Sequence, residues 1–170
     1  MRPIGFSTVC SRLVVSALFV ALVLHATAVR GEQPAPDPCA WLTTAQLNKT
    51  LGQRFAAPER SVAPAAYAGQ PSGTKCGYKS EQGGAVEVTF IVYVDPSPAQ
   101  AKATFEKLST FFPATSKPGG IGDAAYVDEG YAIHVLKGNV RYYISVSTSD
   151  ATPESQKQLR DLATGVAAQI

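Results

Sequence analysis

Apolar and polar side chains alternate most cleanly between Ala85 and Asp95. Val86, Val88, Phe90, Val92 and Val94 fall on one side of an extended chain. Glu87, Thr89, Ile91 and Tyr93 fall on the other. A period of two marks a strand, and a second side that is only partly polar predicts a central one. The alternation returns from Val140 to Thr148, where Val140, Tyr142, Ile144 and Val146 interleave with Arg141, Tyr143, Ser145 and Ser147. Further strands are predicted over Lys75 to Ser80, Ala124 to Asp128 and Tyr131 to Lys137. Gln82-Gly83-Gly84, Glu129-Gly130 and Gly138-Asn139 supply the turns between strands.

The period changes to that of a helix in three places. Thr43 with Gln46 makes a capping box, Leu42 and Leu47 stand at staple spacing, and Gly52 is placed to end a short helix. Ser97 followed by Pro98 opens a second helix, with Ala101, Phe105, Leu108 and Phe112 as its buried stripe and Pro113 as its stop. Thr152-Pro153 opens the last, whose stripe is Leu159, Leu162, Ala163, Val166 and Ile170. Ala56 to Gly73, broken by Pro58, Pro64 and Pro71, reads mainly as a long loop with an edge strand near Arg60 to Ala63.

The resulting order is α-β-β-α-β-β-β-α. It predicts an α+β fold, a single antiparallel sheet of about five strands with helices mainly on one face.

What precedes this pattern is of another kind. Arg2 and Arg12, the uncharged run Leu13 to Leu24 and the small residues Ala26-Thr27-Ala28 have the layout of a secretory leader, residues 1–28. The run is short for a membrane span. Cys10 stands before it, where lipid attachment is not expected, so no stable membrane anchor is expected either. Residues 29–38, with Pro34, Pro36 and Pro38, predict an extended linker, and residues 39–170 a single domain. The expected location is therefore secreted or periplasmic.

Losing the leader changes the charge argument. The chain carries 15 basic and 13 acidic side chains, a balance of +2. That excess is Arg2 and Arg12, so residues 29–170 balance to zero and give no reason to expect a nucleic-acid partner. Export also changes the reading of Cys39 and Cys76. They lack Cys-x-x-Cys spacing and would meet an oxidising compartment, which predicts a structural disulfide.

Candidate chemistry is sparse. His134 is the one histidine after the leader, too little for a usual zinc site, and no Gly-x-Ser-x-Gly elbow is present. Gly119-Gly120-Ile121-Gly122 lacks the flanking strand and helix of a dinucleotide site, and Asp123 is expected to bond backbone in that turn. Asp95, Asp128, Glu129 and Asp150 sit at element ends without calcium-loop spacing. Asn48-Lys49-Thr50 matches a glycosylation acceptor inside a predicted helix. No cofactor or metal is expected. Tyrosines on a sheet suit contact with partners, having an apolar body and a polar tip. Tyr93, Arg141 and Tyr143, on the more polar strand faces, form the expected binding surface.

Asp37-Pro38-Cys39-Ala40-Trp41-Leu42-Thr43, Leu47, Leu51-Gly52 and Cys76-Gly77-Tyr78 resemble a widespread class of small bacterial cell-envelope proteins, mostly lipoproteins, carrying a domain of unknown function. Gly120-Ile121-Gly122-Asp123-Ala124-Ala125-Tyr126 and the Lys137-Gly138-Asn139 turn are similar too. The resemblance implies an envelope location and no particular chemistry. The expected function is a non-enzymatic module binding an envelope protein or other envelope component. The alternatives are a small-ligand carrier with a pocket between sheet and helices, and a hydrolase-type enzyme using His134. A carboxylate or serine within reach of His134 would favour the enzyme.

Overall fold

The computed structural model describes residues 37–65, 67–81, 86–129, 132–147 and 152–170. Among the described residues the order is α1 (Pro38–Trp41), α2 (Thr44–Leu51), β1 (Glu59–Ala63), β2 (Gly73–Lys79), β3 (Glu87–Val94), α3 (Pro98–Phe111), β4 (Ala114–Ser116), β5 (Ala124–Asp128), β6 (Ala132–Lys137), β7 (Val140–Val146) and α4 (Pro153–Ala167). The strands make one antiparallel sheet in the order β1-β2-β3-β7-β6-β5-β4. The fold class and the antiparallel sheet agree with expectation. The sheet has seven strands instead of about five, and α1 is a fourth helix. Beyond the five, β1 is the edge strand expected near Arg60 to Ala63, and the additions are the short β4 and the single-turn α1. Elements this small leave little periodicity to read. The expected leader, most of the linker, the Gln82-Gly83-Gly84 turn and Asp150 lie outside the described residues.

The capping chemistry works as the residue types require. Thr43 accepts the Gln46 N–H while Gln46 receives the Thr43 N–H (2.7 Å), and Gly52 takes the left-handed conformation at φ 70°. Ser97 and Thr152 cap α3 and α4, each followed by proline at the first helical position.

Helices α1, α2 and α4 cover the first face of the sheet. Leu42, Leu47, Leu159, Leu162, Ala163 and Val166 meet Cys76, Val88, Phe90, Val92, Val127, Ile133, Val135 and Ile144 in one buried cluster. Polar atoms there have partners: Tyr142 Oη donates to the Ala163 carbonyl (2.7 Å), and Tyr78 Oη to the Leu42 carbonyl. Cys39 and Cys76 form the expected disulfide, with Cα atoms 5.5 Å apart, tying α1 to β2. The Asn48 side-chain oxygen, on α2, receives the Phe55 N–H (3.1 Å).

The glycine-rich turn and the Lys137-Gly138-Asn139 turn serve each other. Asp123 accepts the Gly138 N–H (2.7 Å), so its backbone bond is to the neighbouring turn. Gly122, at φ 59°, lies so close to Leu136 that a Cβ would stand 2.4 Å from its carbonyl oxygen. Only glycine fits there.

Helix α3 packs alone on the second face. Ala101 and Phe105 bury Tyr126 and Leu136. A smaller cluster of Ala63, Ile91 and Tyr93, with Tyr143 against it, lies toward β1.

Candidate functional site

The second face carries the buried chemistry. Sheet register aligns Tyr126 of β5, His134 of β6, Tyr143 of β7 and Ile91 of β3 in a row across the strands. The rings stack. His134 lies 4.5 Å from Tyr126 at an interplanar angle of 9°, and 5.5 Å from Tyr143 at 29°. Phe112, at the end of α3, closes on the same imidazole at 5.8 Å. His134 Nε2 lies 2.9 Å from Asp128 Oδ2, and Asp128 Oδ1 also accepts the Ala132 N–H (2.9 Å). Both side chains are nearly removed from water, where such a pair is strong.

The adjacent row holds an ion pair. Arg141 Nε donates to Asp95 Oδ2 (2.6 Å) and Nη2 to Oδ1 (3.3 Å). The guanidinium lies 5.1 Å over the Tyr93 ring. Asp95 is fixed at the exit of β3, where its N–H donates to the Asn139 carbonyl (2.9 Å) and its own carbonyl accepts from Asn139 Nδ2 (3.0 Å).

Tyr93, Arg141 and Tyr143 thus share one face, as expected, but not the expected exposure. Arg141 is 3 % exposed and Tyr93 8 %, with only Tyr143 half-buried. The reason is tertiary. Asp95 neutralises Arg141 from another strand, and the chain after β1 crosses Tyr93, whose Oη donates to the Pro64 carbonyl (3.4 Å). Burial raises the phenol pKa of Tyr93, Tyr126 and Tyr143 above the ordinary value of 10.0. At Tyr126, Asp128 adds to the rise and Arg141 opposes it.

Phe112 corrects a second expectation. It is the fourth member of the predicted α3 stripe, yet it is 47 % exposed, beside Phe111 at 63 %. Pro113 disfavours helical backbone at the preceding residue, so Phe112 leaves the helix (φ −118°) and its ring meets His134 instead of the core. The Phe111-Phe112-Pro113 run was the signal available for this exposed pair.

Among the described residues Asp128 is the hydrogen-bond partner of His134, and no group of three or more His, Cys, Asp and Glu is placed to hold a metal. Between sheet and α4, Leu51, Val127, Val146 and Leu159 line a crevice of about 20 Å³. Small-molecule sites occupy roughly 300–1,000 Å³, a size reached away from the helices by an open groove of about 460 Å³ along Arg60, Val62, Ser72 and Thr74. No helix among the described residues is long and apolar enough to cross a membrane.

No family model matches the chain. No curated protein matches it. Among solved structures, the extracellular domain of PknH from Mycobacterium tuberculosis is similar in fold, with a TM-score of 0.55 at 13 % identity. The likeness covers 82 % of this chain and 98 % of that one.

Proposed function

We propose that this chain is a non-enzymatic, extracytoplasmic binding module that docks a protein or other component of the cell envelope on the second face of its sheet, at the C-terminal end of α3. The carrying observation is the exposed pair Phe111 and Phe112, seated beside a ring stack whose imidazole is already hydrogen-bonded to Asp128. Exposed aromatic side chains on a rigid base are what binding hot spots are made of. The extracytoplasmic setting is supported by the disulfide, by the leader-like start of the sequence and by the fold shared with an extracellular domain.

Capture from envelope extract with immobilised protein tests the reading. Phe112→Ala and Tyr143→Ala should each lower capture several-fold while the fold survives. Undiminished capture by both variants would refute it.

The Asp128–His134 contact favours a second reading, a hydrolase-type enzyme. A carboxylate in reach of the one histidine among the described residues is half of the required set. A hydroxyl or thiol nucleophile is not among its hydrogen-bond partners in the described residues, which is why binding is preferred. Ester or amide hydrolysis by the purified protein, abolished in His134→Ala, would replace the first reading with the second.

A further inference from the structure

His134 has two ring nitrogens, and the fold uses one. Nε2 lies 2.9 Å from Asp128 Oδ2. Asp128 Oδ1 accepts the Ala132 N–H (2.9 Å), so the carboxylate meets both neighbours as an acceptor. A carboxylate oxygen at that distance requires the imidazole proton on Nε2, which leaves a bare lone pair on Nδ1. Nδ1 has no hydrogen-bond partner among the described residues. Nor is it shut away from water, since the buried side-chain atoms without a partner there belong to Gln70 and Tyr126. Asp128 thus fixes the tautomer, and the second face presents to solvent a nitrogen that can only accept.

Rings surround that nitrogen. Tyr143 and Tyr126 flank the imidazole from the strands on either side of β6, and Phe112 stacks on it from the end of α3, beside exposed Phe111. The other polar groups of this face have little to offer a partner. The Tyr126 hydroxyl is buried, and Arg141 and Asp95 are buried against each other. An acceptor set among apolar rings rejects a carbonyl or carboxylate, whose oxygen would meet the lone pair with no proton between them. It favours a group that brings a donor on an apolar body.

We propose that His134 Nδ1 is the specificity element of this face, and that the partner protein meets it with an N–H carried on an apolar side chain. This is the chemistry of an indole, which donates and does not accept. Asp128 is a positioning residue, because it acts on the partner through the imidazole. The proposal rests on the second face being the binding face.

Two fragments serve as probes and need no envelope partner, so their failure is distinct from a failure of the capture experiment. Indole and 1-methylindole share a ring body, and only the first has a donor. In mildly alkaline buffer the nitrogen shifts of wild-type His134 should show a proton on Nε2 and none on Nδ1. Indole should move the Phe112 and His134 signals at about two- to ten-fold lower concentration than 1-methylindole, the equivalent of one neutral hydrogen bond. Asp128→Asn keeps an oxygen for the Ala132 N–H and turns an NH2 toward Nε2. The ring proton should then move to Nδ1, and the preference for indole should vanish while the amide signals of β6 and β7 hold. An Asp128 with a merely structural role would leave the tautomer alone and weaken both probes alike. A proton on Nδ1 in the wild type, equal or absent response to the two probes, or an indole preference that survives Asp128→Asn would overturn the proposal, and successful capture from extract would still stand.

Discussion

The two faces of the sheet are built from the same strands and the same alternation, yet they are different materials. The first face is an apolar core in which burial alone explains each side chain, and its buried tyrosines end on helix and loop carbonyls. The second buries Asp95, Arg141, Asp128 and His134, keeps an orphan hydroxyl on Tyr126, and leaves Phe111 and Phe112 in water. Hydrophobic burial is non-directional and tolerates exchange among similar volumes. A buried ion pair is directional, and losing one partner strands the other. The first face is therefore held by non-directional packing, and the second by directional polar contacts as well.

Matched truncations break this comparison most sharply. Arg141→Ala should cost about 3–5 kcal/mol by leaving the Asp95 carboxylate buried and alone. Tyr142→Ala, its chain neighbour on the other face, should cost a similar ~3–5 kcal/mol for a different reason, a cavity. Denaturant unfolding separates the two causes through the double variant Asp95→Leu with Arg141→Met. It should recover most of the Arg141→Ala loss, because removing both charges is far cheaper than removing one. No second substitution of that kind restores Tyr142→Ala. Equal loss in the single and double variants would mean the pair is not the reason for the burial.

The disulfide comes next. Cys39→Ser should lower stability by about 2–5 kcal/mol, and thiol titration of the denatured variant should find Cys76 free. The unfolded wild type should titrate no thiol from this pair.

Alkaline titration sharpens the comparison without a mutation. Burial raises the Tyr78 and Tyr142 phenols on the first face, and Tyr126 on the second, above 10.0. The folded protein then holds protons that the unfolded chain releases. Stability from this source is complete below pH 10 and falls as pH rises past it. Phenolate absorbance of these residues should appear together with unfolding. Release of all tyrosine protons near pH 10 with the fold intact would contradict their burial.

A smaller effect checks the frame. Thr152→Ala should cost about 1 kcal/mol by uncapping α4, seen as a modest fall in the thermal midpoint.

The same division decides what could be read from the sequence. Strands β3 and β7, helices α3 and α4 and their caps were legible because period, cap and proline all act locally. The opposite facing of Tyr142 and Tyr143 followed from the pleat alone. Single-turn α1 and three-residue β4 are too short for a period, and β4 meets β5 through a register irregularity. Tyr93, Arg141 and Tyr143 share one face, as the alternation implies, but lie deeper than expected. Nothing near Arg141 in sequence announces Asp95, which lies 46 residues away. Nor does anything near Tyr93 announce the Pro64 carbonyl and Gly73, which meet it from either end of the β1–β2 connection. Phe112 was misassigned because the stripe was extended one residue past the point where Pro113 ends the helix.

The central claim is that the second face binds and the first supports it. A photo-crosslinking side chain placed at position 111, at the end of α3, can be compared with one at position 62, a still more solvated apolar site on edge strand β1 (63 % and 76 % exposed). Illumination in the intact envelope should give a discrete adduct at position 111, lost when Tyr143→Ala is added, and none at position 62. Equal labelling at both positions, or an adduct at position 62 alone, would contradict the account.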